Sequence, residues 1–496
     1  MDSSITDAAW QGFQLVFSWP NILYPTVATL LAMVFSFLPG LTGITLMALV
    51  ISLTFSWDPL RIVLVFGALT GGATFMGSVT AILFNIPGSA PNAATMLDGY
   101  PLTQQGKART AIACAATSSA LGSTIGILML VLLLPFLQRF ILAFGPAEFL
   151  ALAIWGLAMI GMLTGPSLVK GLAAAGLGLL LATIGLDQST AESRFTFGIP
   201  ALQGGLDVVP VFLGIFAIAE MLNLTASGRR DIVTGSTIGG SVRDGIAETF
   251  RHPGLLLRSS ILGAVIGMVP AIGATVAGFL ARGHAIQSAE DRSRFGHGDI
   301  RGVLAPEAAH DAKDGGSLAP TLAFGIPGSE GTAILLAALT LHGLVPGREL
   351  LTMHLPLVFA LIFSLFYSNW LTSVLGVLVA GPAARSTLIP VGLLAPLVLT
   401  TAALGAYIHQ GRFSDVVIAF VFGVAGFYLK RNGWPRIPLV TALVLGPFFE
   451  TNLGLAMTLQ RTGGIDILRR PVVWILMALV VVTLGWPKLR ERLHRP

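Results

Sequence analysis

The chain has 496 residues, of which 54% are hydrophobic and 11% charged, with a net charge of +5. Soluble domains are about half apolar and about a quarter charged, so this composition excludes an ordinary soluble domain and points to a chain solvated by lipid. A Lys and Arg surplus of this kind suits the cytoplasmic loops of a membrane protein better than a nucleic-acid surface.

No Lys or Arg precedes Arg61, so a cleavable signal peptide, which needs a basic n-region, is not expected. Crossing hydrocarbon takes about 20 apolar helical residues. Runs of that kind fall near residues 13–37, 110–135, 139–163, 166–186, 255–281, 355–381, 388–407, 413–430, 437–459 and 471–486. Shorter or Gly-rich runs at 41–57, 60–77, 206–222 and 331–345 bring the expected total to about 11–14 segments. The runs are unbroken and lack the alternation of barrel strands, so the expected fold is an all-α polytopic membrane protein. Cys114, the one cysteine, excludes an intramolecular disulfide and reads as a small packing residue among alanines.

The basic connection carrying Arg229, Arg230, Arg243, Arg251 and Arg258 and the tail carrying Lys488, Arg490, Arg492 and Arg495 are both expected in the cytoplasm. The nearly as basic loop of Arg461, Arg469 and Arg470 must then face the other side if 471–486 spans. Residues 1–222 form a first half, 223–254 a polar connection, and 255–496 a second half with additional C-terminal helices. Landmarks recur in the same order: F-L-P-G-L-T-G (37–43) with M-V-P-A-I-G-A-T (268–275), G-A-L-T-G-G-A-T (67–74) with D-G-G-S-L-A-P-T (314–321), F-N-I-P-G-S (84–89) with F-G-I-P-G-S (324–329), and L-D-G-Y-P (97–101) with L-H-G-L-V-P (341–346).

Each F-x-I-P-G-S interrupts a helix. Pro87 and Pro327 lack an N–H and clash with a continuing helix, Ile86 and Ile326 are pushed toward extended geometry, and Gly88 and Gly328 accept φ values that other residues resist. Freed backbone groups at membrane depth must be buried in protein or line a wet cavity. Ser78, Thr80, Asn85, Ser89, Asn92 and Thr95 around the first break, and Ser317, Thr321, Ser329, Glu330 and Thr332 around the second, fit the cavity. A packed kink is the alternative for either copy alone. Paired interruptions are the better pointer to a transporter's binding site. A third, partial copy, F-G-I-P-A (197–201), is read as a turn leading into the helix from Leu206.

At this point the sequence resembles the large membrane subunit of tripartite tricarboxylate transporters, the TctA family. The resemblance rests on G-S-V-T-A-I-L-F-N-I-P-G-S, L-D-G-Y-P-L-T-Q-Q-G-K-A, V-P-A-I-G-A-T, G-V-L-A-P-E-A-A, P-T-L-A-F-G-I-P-G-S and R-F-T-F-G-I-P-A-L-Q-G-G-L-D-V-V-P-V-F-L-G-I-F-A-I-A-E, which cover most of the chain. It implies inverted-topology repeats and secondary uptake of a di- or tricarboxylate, or another organic carboxylate, across a bacterial inner membrane, driven by Na⁺ or H⁺. It also implies a small four-helix membrane subunit (TctB-like) and a periplasmic substrate-binding protein (TctC-like). No cofactor beyond the coupling cation, no nucleic acid and no enzymatic activity are expected. Arg301 stands where the family often has an acidic residue, and His310–Asp311 where it often has Asn-Asn, which puts a direct transfer of coupling or subunit contacts near 301–311 in doubt.

The expected substrate site comprises Asn85, Pro87, Gly88, Ser89, Asn92, Thr321, Pro327, Gly328, Ser329 and Thr332. Helix N–H groups after Gly88 and Gly328, the hydroxyls of Ser89, Ser329 and Thr332, and the amide of Asn85 would hold carboxylates. Carbonyls around Thr80, Ile86, Gly325 and Ile326 are the weaker candidates for a cation. Two alternatives are a passive channel or a non-transporting scaffold. An intramembrane enzyme lacks a motif, since neither H-E-x-x-H nor G-x-S-x-G occurs.

Other residues have blander readings. Glu307, His310 and Asp311 in P-E-A-A-H-D lie within one helical turn, but with no second ligand cluster they are read as a solvated or interface helix rather than a metal site, with a proton relay as a further option. Asp98 and Lys107 are read as a turn and a loop charge at the membrane edge. Lys107 does not belong to a phosphate loop, because Ala108 stands where Ser or Thr is required. Glu148, Lys170, Asp207, Glu220, His409 and Asp415 sit near run ends, where interface placement is the safer reading. The pairs Gly67–Gly71, Gly122–Gly126 and Gly263–Gly267 predict close helix packing within the bundle.

Overall fold

The computed structural model describes residues 3–37, 42–85, 87–142, 144–163, 167–186, 192–226, 239–269, 273–385, 391–462 and 469–493. The first half runs α1 (Ser3–Phe17), α2 (Leu23–Phe37), α3 (Gly43–Ile51), α4 (Pro59–Gly72), α5 (Phe75–Phe84), α6 (Ala93–Gln104), α7 (Ala108–Leu142), α8 (Pro146–Leu163) and α9 (Leu168–Ala182). A two-residue ribbon, β1 (Gly185–Leu186) with β2 (Ser193–Arg194), precedes α10 (Val208–Phe212), a π segment at Leu213–Ile218, and α11 (Ala219–Ala226). After the connection come α12 (Val242–Arg251), α13 (Pro253–Met268), α14 (Gly273–Gln287), α15 (Arg301–Phe324), α16 (Glu330–Leu341), α17 (Arg348–Thr352) and α18 (Leu355–Arg385). The chain closes with α19 (Val391–Gln410), α20 (Phe413–Arg431), α21 (Arg436–Arg461) and α22 (Pro471–Leu493).

Among the described residues, six helical stretches are long and apolar enough to cross a membrane: Pro59–Phe84, Ala108–Arg139, Val208–Ala226, Leu355–Ala380, Phe413–Arg431 and Arg436–Arg461. Seven shorter apolar helices accompany them. The architecture is the all-α polytopic bundle expected from composition, since helices alone satisfy their own backbone groups in lipid without closing a barrel. F-G-I-P-A forms a turn, with Phe197 at φ 50° and a 3₁₀ turn at Pro200–Leu202, before the helix that starts at Val208, capped by the Asp207 carboxylate.

Glycine faces set the closest packing. A Cβ on Gly67 or Gly71 of α4 would meet the carbonyl oxygens of Leu361 and Leu365 of α18 at 2.7 and 2.8 Å. On Gly122 and Gly126 of α7 it would meet the carbonyls of Ala308 and Ala312 of α15 at 2.3 and 2.2 Å. On Gly263 and Gly267 of α13 it would meet those of Ala309 and Lys313 at 2.3 Å in both cases. Helix α15 is thus clasped backbone to backbone between α7 and α13. All of it from Gly302 to Ala323 is buried.

That burial overturns one expectation. Glu307 and His310 are fully buried and Asp311 is 1% exposed, so α15 is neither a solvated nor an interface helix. Its local sequence reads as polar because nothing within it shows what packs on either side.

The charged run ends pair between helices: Glu148 of α8 with Arg470 at 2.7 Å, Glu220 of α11 with Lys430 of α20 at 2.6 Å, and the Lys170 ammonium with the Asn432 carbonyl at 2.8 Å.

Candidate functional site

The two breaks share a construction. Helix α5 ends at Asn85 in the left-handed region (φ 58°, ψ 31°), and α15 ends at Gly325 in the same region (φ 66°, ψ 21°). Asn and Gly are the residues that enter this region at least cost. A proline follows two residues later in each case, at Pro87 and Pro327, so neither helix can resume. Ile86 lies outside the described residues.

At the first break the Gly88 N–H donates to the Gly77 carbonyl at 3.2 Å. The Ser89 N–H and hydroxyl both donate to Asn92 Oδ1, at 3.0 and 2.6 Å. Asn92 Nδ2 in turn donates to Ser78 Oγ at 2.7 Å and to the Thr74 carbonyl at 3.2 Å. All four hydrogen-bonding positions of this buried amide are therefore occupied. The Thr80 hydroxyl donates to the Gly77 carbonyl at 2.9 Å.

At the second break Thr332 takes the part of Asn92. The Ser329 N–H donates to Thr332 Oγ1 at 2.9 Å, and the Thr332 N–H donates to Ser329 Oγ at 3.4 Å, a reciprocal cap on α16. The Thr321 hydroxyl donates to the Ser317 carbonyl at 2.6 Å and accepts from the Gly328 N–H at 3.4 Å.

The likeness extends to packing. A Cβ on Gly88 would lie 2.4 Å from Gly77 Cα and 2.9 Å from the Ser36 carbonyl oxygen. One on Gly328 would lie 2.8 Å from Ser317 Cα and 2.7 Å from the Gly267 carbonyl oxygen. Each glycine lets the broken chain lie directly on the backbone of a neighbouring helix. Asn92, Thr321 and Thr332 hold the breaks in shape, while the Asn85 side chain is exposed and that of Ser89 half-buried.

Sequence reasoning missed what lies next to the first break. Glu307 Oε1 of α15 accepts from Ser78 Oγ at 2.6 Å and from the Thr95 hydroxyl. The line Ser89–Asn92–Ser78–Glu307 thus joins the first break to α15. A carboxylate one turn from an imidazole was the only signal in the sequence, and its hydroxyl partners are more than 200 residues away.

A scan of known families matches the tripartite tricarboxylate transporter TctA family over residues 22–441. The chain belongs to that family. It is 32% identical over 487 residues, 97% of this chain and 96% of the relative, to an uncharacterized 52.8 kDa protein in the TAR-I ttuC' 3' region of Agrobacterium vitis. It is 30% identical over 220 residues, 44% of this chain and 91% of the relative, to an uncharacterized protein in the TAR-II ttuC' 3' region of the same organism. This TctA-family chain is accordingly a multi-pass membrane component of a tripartite transporter.

The TctA-type segment L-D-G-Y-P departs from its expected turn. It forms no turn but lies inside α6, and Asp98 is fully buried. Asp98 Oδ2 accepts from Arg282 Nε at 2.9 Å and Nη2 at 2.7 Å, and Oδ1 accepts from the N–H groups of Gly296 at 2.6 Å and Asp299 at 3.2 Å. These partners, from α14 and the loop before α15, outweigh the turn preference of Asp-Gly. Lys107 remains an exposed loop residue.

Arg301, the first residue of α15, is bound to the same loop. Burial pushes the Asp299 carboxyl up, but the hydrogen bonds and charge of Arg301, at 3.0 Å (Nε) and 2.6 Å (Nη2), outweigh it and hold the carboxyl below the ordinary range. Removing the Asp98 carboxylate leaves Arg282, 14% exposed at its side chain, without its partner. Asp98→Ala is therefore expected to cost about 3–5 kcal/mol, read as a lower melting temperature in detergent, with Asp98→Asn intermediate. A melting temperature equal to wild type in Asp98→Ala would show that the pair contributes nothing.

Proposed function

We propose that this chain is the permease core of a binding-protein-dependent secondary transporter in a bacterial inner membrane. It imports di- or tricarboxylates, or other organic carboxylates, using a gradient of Na⁺ or H⁺. It works with a small TctB-like membrane subunit and a periplasmic TctC-like binding protein. The observation that carries this reading is the pair of helix breaks built alike, each closed by a Pro-Gly-Ser and a polar residue three positions on. A helix that starts after such a break aims free N–H groups and the positive end of its dipole at an anion, and paired breaks in two halves mark transporter sites.

In this reading the halves 1–222 and 255–496 are inverted repeats that exchange access to the two sides. Carboxylates bind at the two helix starts after Gly88 and Gly328 and against the amide of Asn85, with the Ser89 and Ser329 hydroxyls turning to them from Asn92 and Thr332. Asn92, Thr321, Thr332, Pro87 and Pro327 fix the geometry, and the carbonyls near Thr80, Ile86, Gly325 and Ile326 are available to a cation.

Reconstitution with both partners tests it through uptake of labelled citrate, malate or succinate under an imposed gradient. A hydrogen bond to a charged group is worth about 1.5–3 kcal/mol, so Ser89→Ala and Ser329→Ala should each weaken half-saturation or rate about tenfold or more. Asn85→Gly tests the amide without forcing alanine into a left-handed backbone. Unchanged affinity and rate in all three, in well-folded protein, would sink the assignment.

A further inference from the structure

Helix α15 carries a buried ionisable face that neither the fold nor the two breaks explain. Glu307, His310, Asp311 and Asp314 follow one another at i, i+3, i+4 and i+7, which aligns them on one side of a helix. Glu307 and His310 are 0% exposed, Asp311 and Asp314 1%. Hydroxyls hold one oxygen of each of two carboxylates: Ser78 and Thr95 on Glu307 Oε1, and Ser119 of α7 on Asp311 Oδ2. Their other oxygens, Glu307 Oε2 and Asp311 Oδ1, and both ring nitrogens of His310 are buried without a hydrogen bond. His310 Nδ1 stands 3.7 Å from Glu307 Oε1.

Buried carboxylates held by hydroxyls alone are expensive as anions, and such groups take up a proton or a counter-charge instead. Lys313 lies against Asp314 and supplies that counter-charge there. Glu307 is left with the His310 imidazole beside it, and Asp311 with the Ser119 hydroxyl. The other titratable groups around this face are Cys114 of α7, Glu248 of α12, His284 of α14, and Asp98 with Arg282, which are paired to each other.

We propose that Glu307, His310 and Asp311 form a proton-binding site that couples transport to the proton gradient, a proposal that rests on the secondary-transporter reading above. A proton suits the site better than Na⁺. Hard cations take oxygen ligands, whereas the unpartnered groups of this site include both nitrogens of an imidazole. An imidazole with two free nitrogens can take up a proton and exchange it with the Glu307 carboxylate that faces its Nδ1. The site is also wired to the first break. Ser78 donates to Glu307 and accepts from Asn92, which holds both donors of Ser89. Protonating Glu307 makes its carboxyl a donor and weakens it as an acceptor for Ser78, so the state of the proton site alters the grip on the break.

The test uses the full chain reconstituted with its two partners, with labelled citrate, malate or succinate added outside. Carboxylate entry should acidify the lumen, an imposed Na⁺ gradient should not drive uptake, and one unit of pH gradient should give about tenfold accumulation per coupled proton. In Glu307→Gln and Asp311→Asn the ratio of pH-driven uptake to carboxylate counterflow should collapse toward zero, whereas damage to folding would lower both together. Infrared spectra of the chain alone in lipid should show a protonated carboxyl band that titrates with pH and shrinks in both variants. Na⁺-driven uptake without lumenal acidification, or a band unchanged in both variants, would overturn the site. Counterflow without proton movement would overturn coupling alone. Absence of counterflow in the wild type would overturn the transporter reading and coupling with it.

Discussion

Gly126→Val should leave almost no folded protein in the membrane, and Gly126→Ala should already be strongly destabilised. A methyl at this position would sit 2.2 Å from the Ala312 carbonyl oxygen and 2.7 Å from its Cα. Backbone atoms cannot rotate away, so α7 and α15 must separate. Overpacking of this kind costs about 1–3 kcal/mol, and more where the backbone is the obstacle. Separation would also stretch the contact of Ser119 with Asp311, which belongs to the same interface. Gly267→Ala attacks α15 from the α13 side, 2.3 Å from the Lys313 carbonyl oxygen, so the two changes together should exhaust the few kcal/mol by which a membrane bundle holds together. Gly254→Ala is the control, with no atom near its Cβ. Size-exclusion yield and melting temperature in detergent decide the matter. A Gly126→Ala protein as stable as Gly254→Ala would mean that α7 does not touch α15 as described.

Asn92→Ala should open the first break. The change strips the acceptor from the Ser89 N–H and hydroxyl and two donors from its neighbours at a fully buried position. Buried polar groups left unpaired cost about 1–3 kcal/mol each. Loss of stability should therefore be accompanied by a fall in carboxylate uptake beyond what the reduced amount of protein explains. The second half supplies a specific rescue. Thr332 caps Ser329 with a hydroxyl where Asn92 uses an amide oxygen, so Asn92→Thr should recover part of what Asn92→Ala loses. Equal behaviour of Asn92→Thr and Asn92→Ala would show that the cap on Ser89 has no role in transport.

Much of the local structure was legible in the sequence. Pro87 and Pro327 break helices by removing a donor and colliding with the preceding turn, and Gly88 and Gly328 permit the backbone to lie on its neighbour at 2.4 to 2.8 Å from Cβ to Cα. The pairs Gly67–Gly71, Gly122–Gly126 and Gly263–Gly267 announced close packing and occupy close contacts. The role of Asn92 was legible only as a polar residue near a break. Its full engagement with Ser89, Ser78 and Thr74 depends on how the chain doubles back.

By itself the sequence determined the membrane class, the helical content, the two breaks and the glycine faces, because each follows from composition or from steric limits that act within a few residues. Tertiary structure alone decided the fate of the charges. Asp98 reads as a turn residue until Arg282 and the loop before α15 surround it. Glu307, His310 and Asp311 read as a polar helix face until the glycines of α7 and α13 close on α15 and the hydroxyls of Ser78, Thr95 and Ser119 arrive. The cost of burying a charge is set by which partners meet it in the fold, and those partners are separated from it by as much as 229 positions in the chain.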